Sequence, residues 1–140
     1  SCENLHGHNF HVRINAQGDN DADSLVIDFV LISRLAAGIC ADLNDKVLLP
    51  ANSDAVKIEQ RDQLLHISSY GKQFVLPEHN CCLLPLGNTT AEMLAWYIGE
   101  RLLESLQQQG AAANIGELEI AVEEADRQWG VCRRVLTHGD

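Results

Sequence analysis

Four side chains that can do chemistry lie within the first eight residues of the chain, Cys2, Glu3, His6 and His8. An alternating apolar pattern predicts a β-strand over Leu5–Ala16, and residues two apart in a strand point to the same face. His6 and His8 would then share a face, and neutral imidazole is a common zinc ligand. The spacing predicts a metal-chelating pair, with a thiol and a carboxylate close upstream. A strand with two ordinary histidines is the alternative.

A second candidate is a carboxylate at the end of another predicted strand, Glu117–Glu124. Leu118, Ile120 and Val122 alternate along it and share one face, and Glu124 has the same parity. A carboxylate on an apolar face is costly unless it is paired with a cation or with several hydrogen-bond donors. Glu124 is therefore predicted to pair with a cation or to accept hydrogen bonds from a group that carries several donors.

Composition limits the kind of protein to which these residues belong. The chain has 140 residues, 46% hydrophobic and 21% charged, which is enough for one domain with its own core. No apolar run approaches the roughly 20 residues of a membrane span, and no signal-peptide pattern is present. A formal net charge of −10 disfavours nucleic acid or an anionic membrane surface as partner. Five cysteines without a Cys-x-x-Cys pair favour a reduced, cytosolic setting.

The first half of the chain predicts strands followed by a helix. After the strand over Leu5–Ala16, a shorter strand is expected at Ser24–Ile27, and Asp28 is placed to cap a helix beginning at Phe29. The helix ends near Asn44. Its apolar positions recur every four residues, at Leu31, Leu35, Ile39 and Leu43.

The second half predicts a small antiparallel excursion, a second helix and two closing strands. The excursion has three short strands, at 56–58, 64–67 and 74–76. The helix opens with a capping-box pattern, Thr89 at the cap and Glu92 three residues later, and closes at Gly110. Glu117–Glu124 and Val131–Leu136 follow as strands. The predicted fold is α+β, one antiparallel sheet with two helices on one face, in a single domain over residues 1–140.

Taken together, four motifs resemble a known family. They are Cys-Glu-x-x-His-Gly-His-Asn-Phe from Cys2, Val-Ile-Asp-Phe at 26–29, Thr-Thr-Ala-Glu at 89–92, and the strand ending in Glu124. Their order resembles the 6-pyruvoyltetrahydropterin synthase / 6-carboxytetrahydropterin synthase family, from Cys2 to about Cys132. The resemblance implies the tunnelling fold (T-fold), zinc, and a substrate of the dihydroneopterin triphosphate class. It also implies a homo-oligomer, a hexamer of two stacked trimers, with sites at subunit interfaces.

The resemblance also implies roles for individual residues. His6 and His8 match two zinc ligands, and Cys2 matches the catalytic general base. Glu124 matches the carboxylate that anchors the 2-amino and N3 hydrogens of the pterin. Glu92 matches a second glutamate near the pterin, although the capping box explains it equally well. The third zinc histidine of the family precedes the cysteine by a strand, so a segment before Ser1 is expected to supply it.

Two departures from the family pattern leave the reaction open. Where the family has Asp-His after the first helix, this chain has Asn44-Asp45, which leaves Asp45 as a candidate catalytic carboxylate. Glu3 directly after Cys2 resembles the subgroup that has both synthase activity and dihydroneopterin side-chain cleavage for folate synthesis. The synthase is expected first. Aldolase-type cleavage, a non-catalytic pterin-binding subunit and a structural zinc protein are the alternatives, the last disfavoured by Glu124. Candidates to meet a triphosphate are Arg13, Lys46, Arg133 and Arg134.

Overall fold

The computed structural model describes residues 7–18, 27–124 and 128–137. The chain divides into two compact units, one containing Leu43–Thr89 and the other containing the described residues of His8–Asp42 and Thr90–Asp140. The elements, in chain order, are β1 (Phe10–Gly18), α1 (Phe29–Leu43), β2 (Val47–Pro50), β3 (Val56–Arg61), β4 (Leu64–Ser69), β5 (Lys72–Pro77), a short 3₁₀ helix (Glu78–Asn80), β6 (Cys81–Leu84), α2 (Ala91–Gln108), β7 (Ile115–Glu124) and β8 (Trp129–Val135).

A three-stranded antiparallel sheet forms the base of the second unit, in the order β1-β7-β8. Val12 lies opposite Val122, and Ile14 lies opposite Ile120, so the apolar residues of neighbouring strands share one face. Leu118, Ile120 and Val122 are at most 1% exposed. This face is the core side of the sheet, as the alternation in the sequence predicts.

Helix α2 packs on the core side of β7 and β8. Its predicted apolar stripe is buried, at Leu94, Ile98, Leu102 and Leu106. Its start differs from the prediction by one residue, because Thr90 is the N-cap and its Oγ1 accepts from the Met93 N–H at 3.3 Å. Glu92 is therefore the second helical residue and does not complete a capping box with Thr89, so that prediction is wrong. Gly110 follows the helix with φ +67°, as expected for its closing residue.

Helix α1 covers the β1 side of the same face. Asp28 caps it as predicted, since its Oδ1 accepts from the Leu31 N–H at 2.9 Å. A groove of about 310 Å³ lies between β1 and α1, and it is lined by side chains that include Val12, Ile14, Ile32 and Ala36. Both helices therefore lie on one face of an antiparallel sheet, which is the predicted α+β architecture.

The other unit contains the predicted excursion. Strands β3, β4 and β5 form an antiparallel meander, with turns at Asp62 and at Tyr70-Gly71 where φ is positive. A parallel pair that the sequence analysis missed joins β2 to β6, with Val47 opposite Cys81. The core of this unit is built on Leu49, Leu65 and Ile67.

Two strands predicted near the start of the chain differ from the structure or lie mostly outside the described residues. The first strand begins at Phe10 rather than at Leu5, so His8 precedes it and does not lie within it. Most of the predicted strand at Ser24–Ile27 lies outside the described residues, and Ile27 is not in a strand. A single domain over residues 1–140 stays a prediction. Within the described ranges, neither helix has both the length and the apolar character that crossing a membrane would require.

Candidate functional site

Glu124 ends β7 on the core side of the sheet. It lies opposite Phe10 in β1, and its parity is that of Val122, as the sequence predicts. Its side chain is 20% exposed. Its N–H donates to the Gln128 carbonyl at 2.8 Å where the chain turns into β8, so the backbone at this carboxylate is held by the hairpin. A mostly buried carboxylate at a strand end is suited to accept donors from a ligand.

His8 lies beside this carboxylate. Its Nε2 is 3.8 Å from Oε1 of Glu124, and its side chain is 30% exposed. The separation allows an ion pair when the imidazole is protonated, and a bridging water or ligand atom otherwise. The structure thus brings together two of the residues that the sequence analysis selected, one an acceptor and the other a group that can donate or ligate.

The predicted zinc site is described only in part. Cys2, Glu3 and His6 lie outside the described residues, so His8 is the only predicted ligand or catalytic group of the opening segment that can be placed. The described ranges contain no group of three or more His, Cys, Asp or Glu side chains that could hold a metal ion. The imidazole of His8 has the donor chemistry that zinc prefers, but the described residues alone do not complete a site.

Glu92 lies in the first turn of α2 and is exposed. This turn touches β8, because a Cβ added to Gly130 would overlap the Ala91–Glu92 peptide. Gly130 lies opposite Val122, and Val122 precedes Glu124 by two residues in β7. Glu92 is therefore at the Glu124 end of the sheet. With the capping box removed, a favourable interaction with the helix dipole is the remaining structural reason for this carboxylate.

Asp45 belongs to the other unit, in the turn after α1. Its φ is +56°, a left-handed conformation that Asp and Asn tolerate better than most residues. The Asn44 side-chain amide donates to its Oδ2 at 3.4 Å. A conformational role at the helix end accounts for an Asp at this position, and its catalytic role stays a prediction.

The arginines proposed to meet a triphosphate have other contacts. Arg133 bonds Glu119 at 2.7 Å and Glu117 at 3.2 Å, and Arg134 bonds Glu100 at 2.6 Å. Arg13 stacks over the Trp129 ring at 5.3 Å. Arg13 and Arg133 have the opposite parity to Glu124 in their strands, so they lie on the other face of the sheet.

Two of the described cysteines are poor candidates for a nucleophile or a base. Burial raises the pKa of the Cys40 thiol and of the Cys81 thiol above the ordinary value. Both side chains are therefore thiols at neutral pH, and the thiolate is the reactive form. Neither of these two cysteines therefore replaces Cys2 as the candidate general base.

Gly130 is the residue near the site that sequence analysis missed. It is buried in β8, where a glycine lacks a side chain to pack. An isolated glycine in a strand pattern is the signal that was available, since it often marks a close approach of another backbone.

Comparison with known proteins agrees with this architecture. The sequence profile described as 6-pyruvoyl tetrahydropterin synthase matches residues 1–135. A Methanocaldococcus jannaschii protein named "Putative 6-carboxy-5,6,7,8-tetrahydropterin synthase" is 33% identical over 135 residues, which cover 96% of this chain and 82% of that protein. A Pyrococcus abyssi protein of the same name is 29% identical, over 91% of this chain and 73% of that protein.

Three solved structures of similar fold come from two Plasmodium species. The Plasmodium falciparum 6-pyruvoyl tetrahydropterin synthase has a TM-score of 0.82 at 28% identity, with 96% of this chain and 83% of that chain covered. The Plasmodium vivax enzyme has a TM-score of 0.86 at 25% identity and the same coverage. A variant of the latter, in which a catalytic glutamate is replaced by alanine, also has a TM-score of 0.86, at 24% identity. The predicted T-fold is thereby confirmed, and the chain belongs to the 6-pyruvoyl tetrahydropterin synthase family of enzymes.

Proposed function

We propose that this chain acts on 7,8-dihydroneopterin triphosphate as a 6-carboxy- or 6-pyruvoyl-tetrahydropterin synthase, a carbon–oxygen lyase. The observation that supports this most directly is the mostly buried Glu124 carboxylate beside His8. Membership of the family and the names of the similar proteins support the substrate class.

Glu124 would recognise the pterin ring. A pterin presents its 2-amino group and N3–H as two nearly parallel donors on one edge, and a carboxylate can accept both at once. Because only 20% of the side chain is exposed, these charge-assisted bonds would form in a medium of lower dielectric than water. The hydrogen bonds from the ligand would also offset the desolvation free energy of a carboxylate on the apolar face.

The N-terminal segment would act on the side chain of the pterin. We propose that Cys2, as thiolate, and Glu3, as carboxylate, move a proton from the carbon next to a side-chain hydroxyl, and that Asp45 assists as a further acid–base group. In the Plasmodium vivax synthase a glutamate is a catalytic residue, which supports a carboxylate in this role. His8, whose Nε2 lies 3.8 Å from Oε1 of Glu124, would orient the side chain of the pterin next to the proposed ring anchor.

We also propose that His6 and His8 bind zinc. When bound, Zn²⁺ supplies polarisation of the substrate hydroxyls and stabilises negative charge on oxygen. We expect about one zinc per subunit in protein with its complete N-terminal region, and loss of most of it in His8→Ala. Elemental analysis of the purified protein measures this directly, with His79→Ala as the control. Metal-free protein with an intact N-terminus would contradict the proposal, as would unchanged zinc in His8→Ala.

The assembly is proposed to be a hexamer of two stacked trimers. In the described part of the sheet β1 and β8 are edge strands, and unpaired edges need protection. Three apolar residues of β8 are exposed, Trp129, Val131 and Val135. Pairing of strands between subunits would protect the edges, and closing the sheets into a ring would enclose the face that carries these three side chains. Light scattering at micromolar concentration is expected to show a hexamer, and a monomer would contradict it.

Product analysis tests the function itself. The metal-loaded protein is incubated with 7,8-dihydroneopterin triphosphate and the products are identified by mass. A tetrahydropterin with a shortened or oxidised side chain is expected. Cleavage of the dihydroneopterin side chain would favour the aldolase-type alternative. Glu3 and the Asn44-Asp45 pair are the sequence features that suggest this alternative. Binding of substrate without any product would favour the non-catalytic pterin-binding subunit.

A further inference from the structure

Helix α2 approaches β8 closely at two glycines. A Cβ at Gly130 in the strand would overlap the Ala91–Glu92 peptide, and a Cβ at Gly99 in the helix would lie 3.1 Å from Ile120 Cδ1 and 3.2 Å from Arg134 Nε. From Ala91 to Gly99 the helix rises about 12 Å. From Gly130 to Arg134 the strand rises about 13 Å. The helix therefore runs alongside the strand in the same direction, with one close contact near each end of this stretch.

The two contacts differ in what a side chain would meet. At Gly99 the nearest atoms, Ile120 Cδ1 and Arg134 Nε, belong to side chains, and these would need to give by only a few tenths of an ångström. At Gly130 they are backbone atoms of the first helical turn, which can move only if the helix or the strand moves. A methyl group at position 130 must therefore shift the start of α2 relative to the sheet.

Such a shift would act on the proposed pterin site. Gly130 lies opposite Val122, and Glu124 follows two residues later on the same face, about 7 Å along the strand. The first turn of α2 presents Glu92 at this end of the sheet. The contact at Gly130 thus sets the spacing between two carboxylates that the sequence motifs connect with pterin binding.

We propose that Gly130 is a positioning residue for pterin binding: it admits the Ala91–Glu92 peptide to direct contact with β8 and so sets the distance between Glu92 and Glu124. This inference rests on the proposed function, since it concerns the same site. It assigns no chemistry to Gly130, which would act through Glu92.

Gly130→Ala and the matched control Gly99→Ala test it. Titration calorimetry measures the dissociation constant of 7,8-dihydroneopterin, and steady-state kinetics with the triphosphate give KM and kcat. Thermal unfolding shows whether each variant is folded. We expect Gly130→Ala to weaken binding about tenfold and to raise KM more than it lowers kcat, and Gly99→Ala to stay within about twofold of wild type. In a Glu92→Gln background, Gly130→Ala should have a smaller effect, because the residue it positions is already altered.

Three results would overturn the inference while leaving the proposed function intact. They are wild-type affinity in Gly130→Ala, an equal loss of affinity in both glycine variants, and wild-type affinity in Glu92→Gln. The last does not depend on the glycine variants folding, because Glu92 is exposed. Absence of pterin binding by the wild-type protein would instead overturn the proposed function, and this inference with it.

Discussion

Glu124→Gln is expected to lower kcat/KM for the pterin substrate by about a hundredfold or more. A carboxylate that accepts two N–H groups makes charge-assisted bonds, each worth about 1.5–3 kcal/mol. Glutamine keeps the shape of the side chain but has a single acceptor oxygen, and its NH₂ group would face a donor of the pterin. Loss of about 2.8 kcal/mol corresponds to a hundredfold. Steady-state kinetics and titration with 7,8-dihydroneopterin measure the effect.

The neighbouring residue provides the control for this substitution. Glu123→Gln makes the same chemical change one residue earlier in β7, where the side chain has the opposite parity and Trp129 as its strand partner. It is expected to leave pterin affinity within about twofold of wild type, since it lies on the other face. Equal effects of the two variants, or wild-type kinetics in Glu124→Gln, would show that Glu124 does not anchor the ring.

Cys2→Ala and Glu3→Ala are expected to separate two activities. General acid–base groups contribute about 10²–10⁴-fold, so Cys2→Ala should lower tetrahydropterin formation by that order. A carboxylate is ionised at neutral pH without a partner base, whereas a thiol needs one, and Asn44-Asp45 lacks the family histidine for that task. Side-chain cleavage should therefore depend on Glu3 and should survive in Cys2→Ala. Both products are quantified by mass for each variant.

The cysteine control is Cys82→Ala, which removes a thiol from β6 in the other unit. It should keep both activities. Unchanged activities in Glu3→Ala would refute the dual-function interpretation and leave Glu3 as a solvated surface charge.

Features that depend on neighbours in the chain could be predicted from sequence alone. The Asp28 cap and the start of α1 were correct because the capping bond links residues three apart. The buried stripe of α2 follows from helical periodicity. The direction of Glu124 follows from the two-residue period of a strand, which holds regardless of what the strand pairs with. These local rules selected the site residue that the proposed function depends on most.

Tertiary structure decided what depends on distant partners. The parallel pairing of β2 with β6 joins short segments more than thirty residues apart, and neither has a pattern that specifies the other. Thr89 and Thr90 are equally good caps by type, so the packing of α2 selects Thr90. The 3.8 Å approach of His8 to Glu124 and the contact of Gly130 with the first turn of α2 arise from sheet register and helix docking. Such contacts are fixed by burial of surface between elements, which the order of residues within one element does not encode.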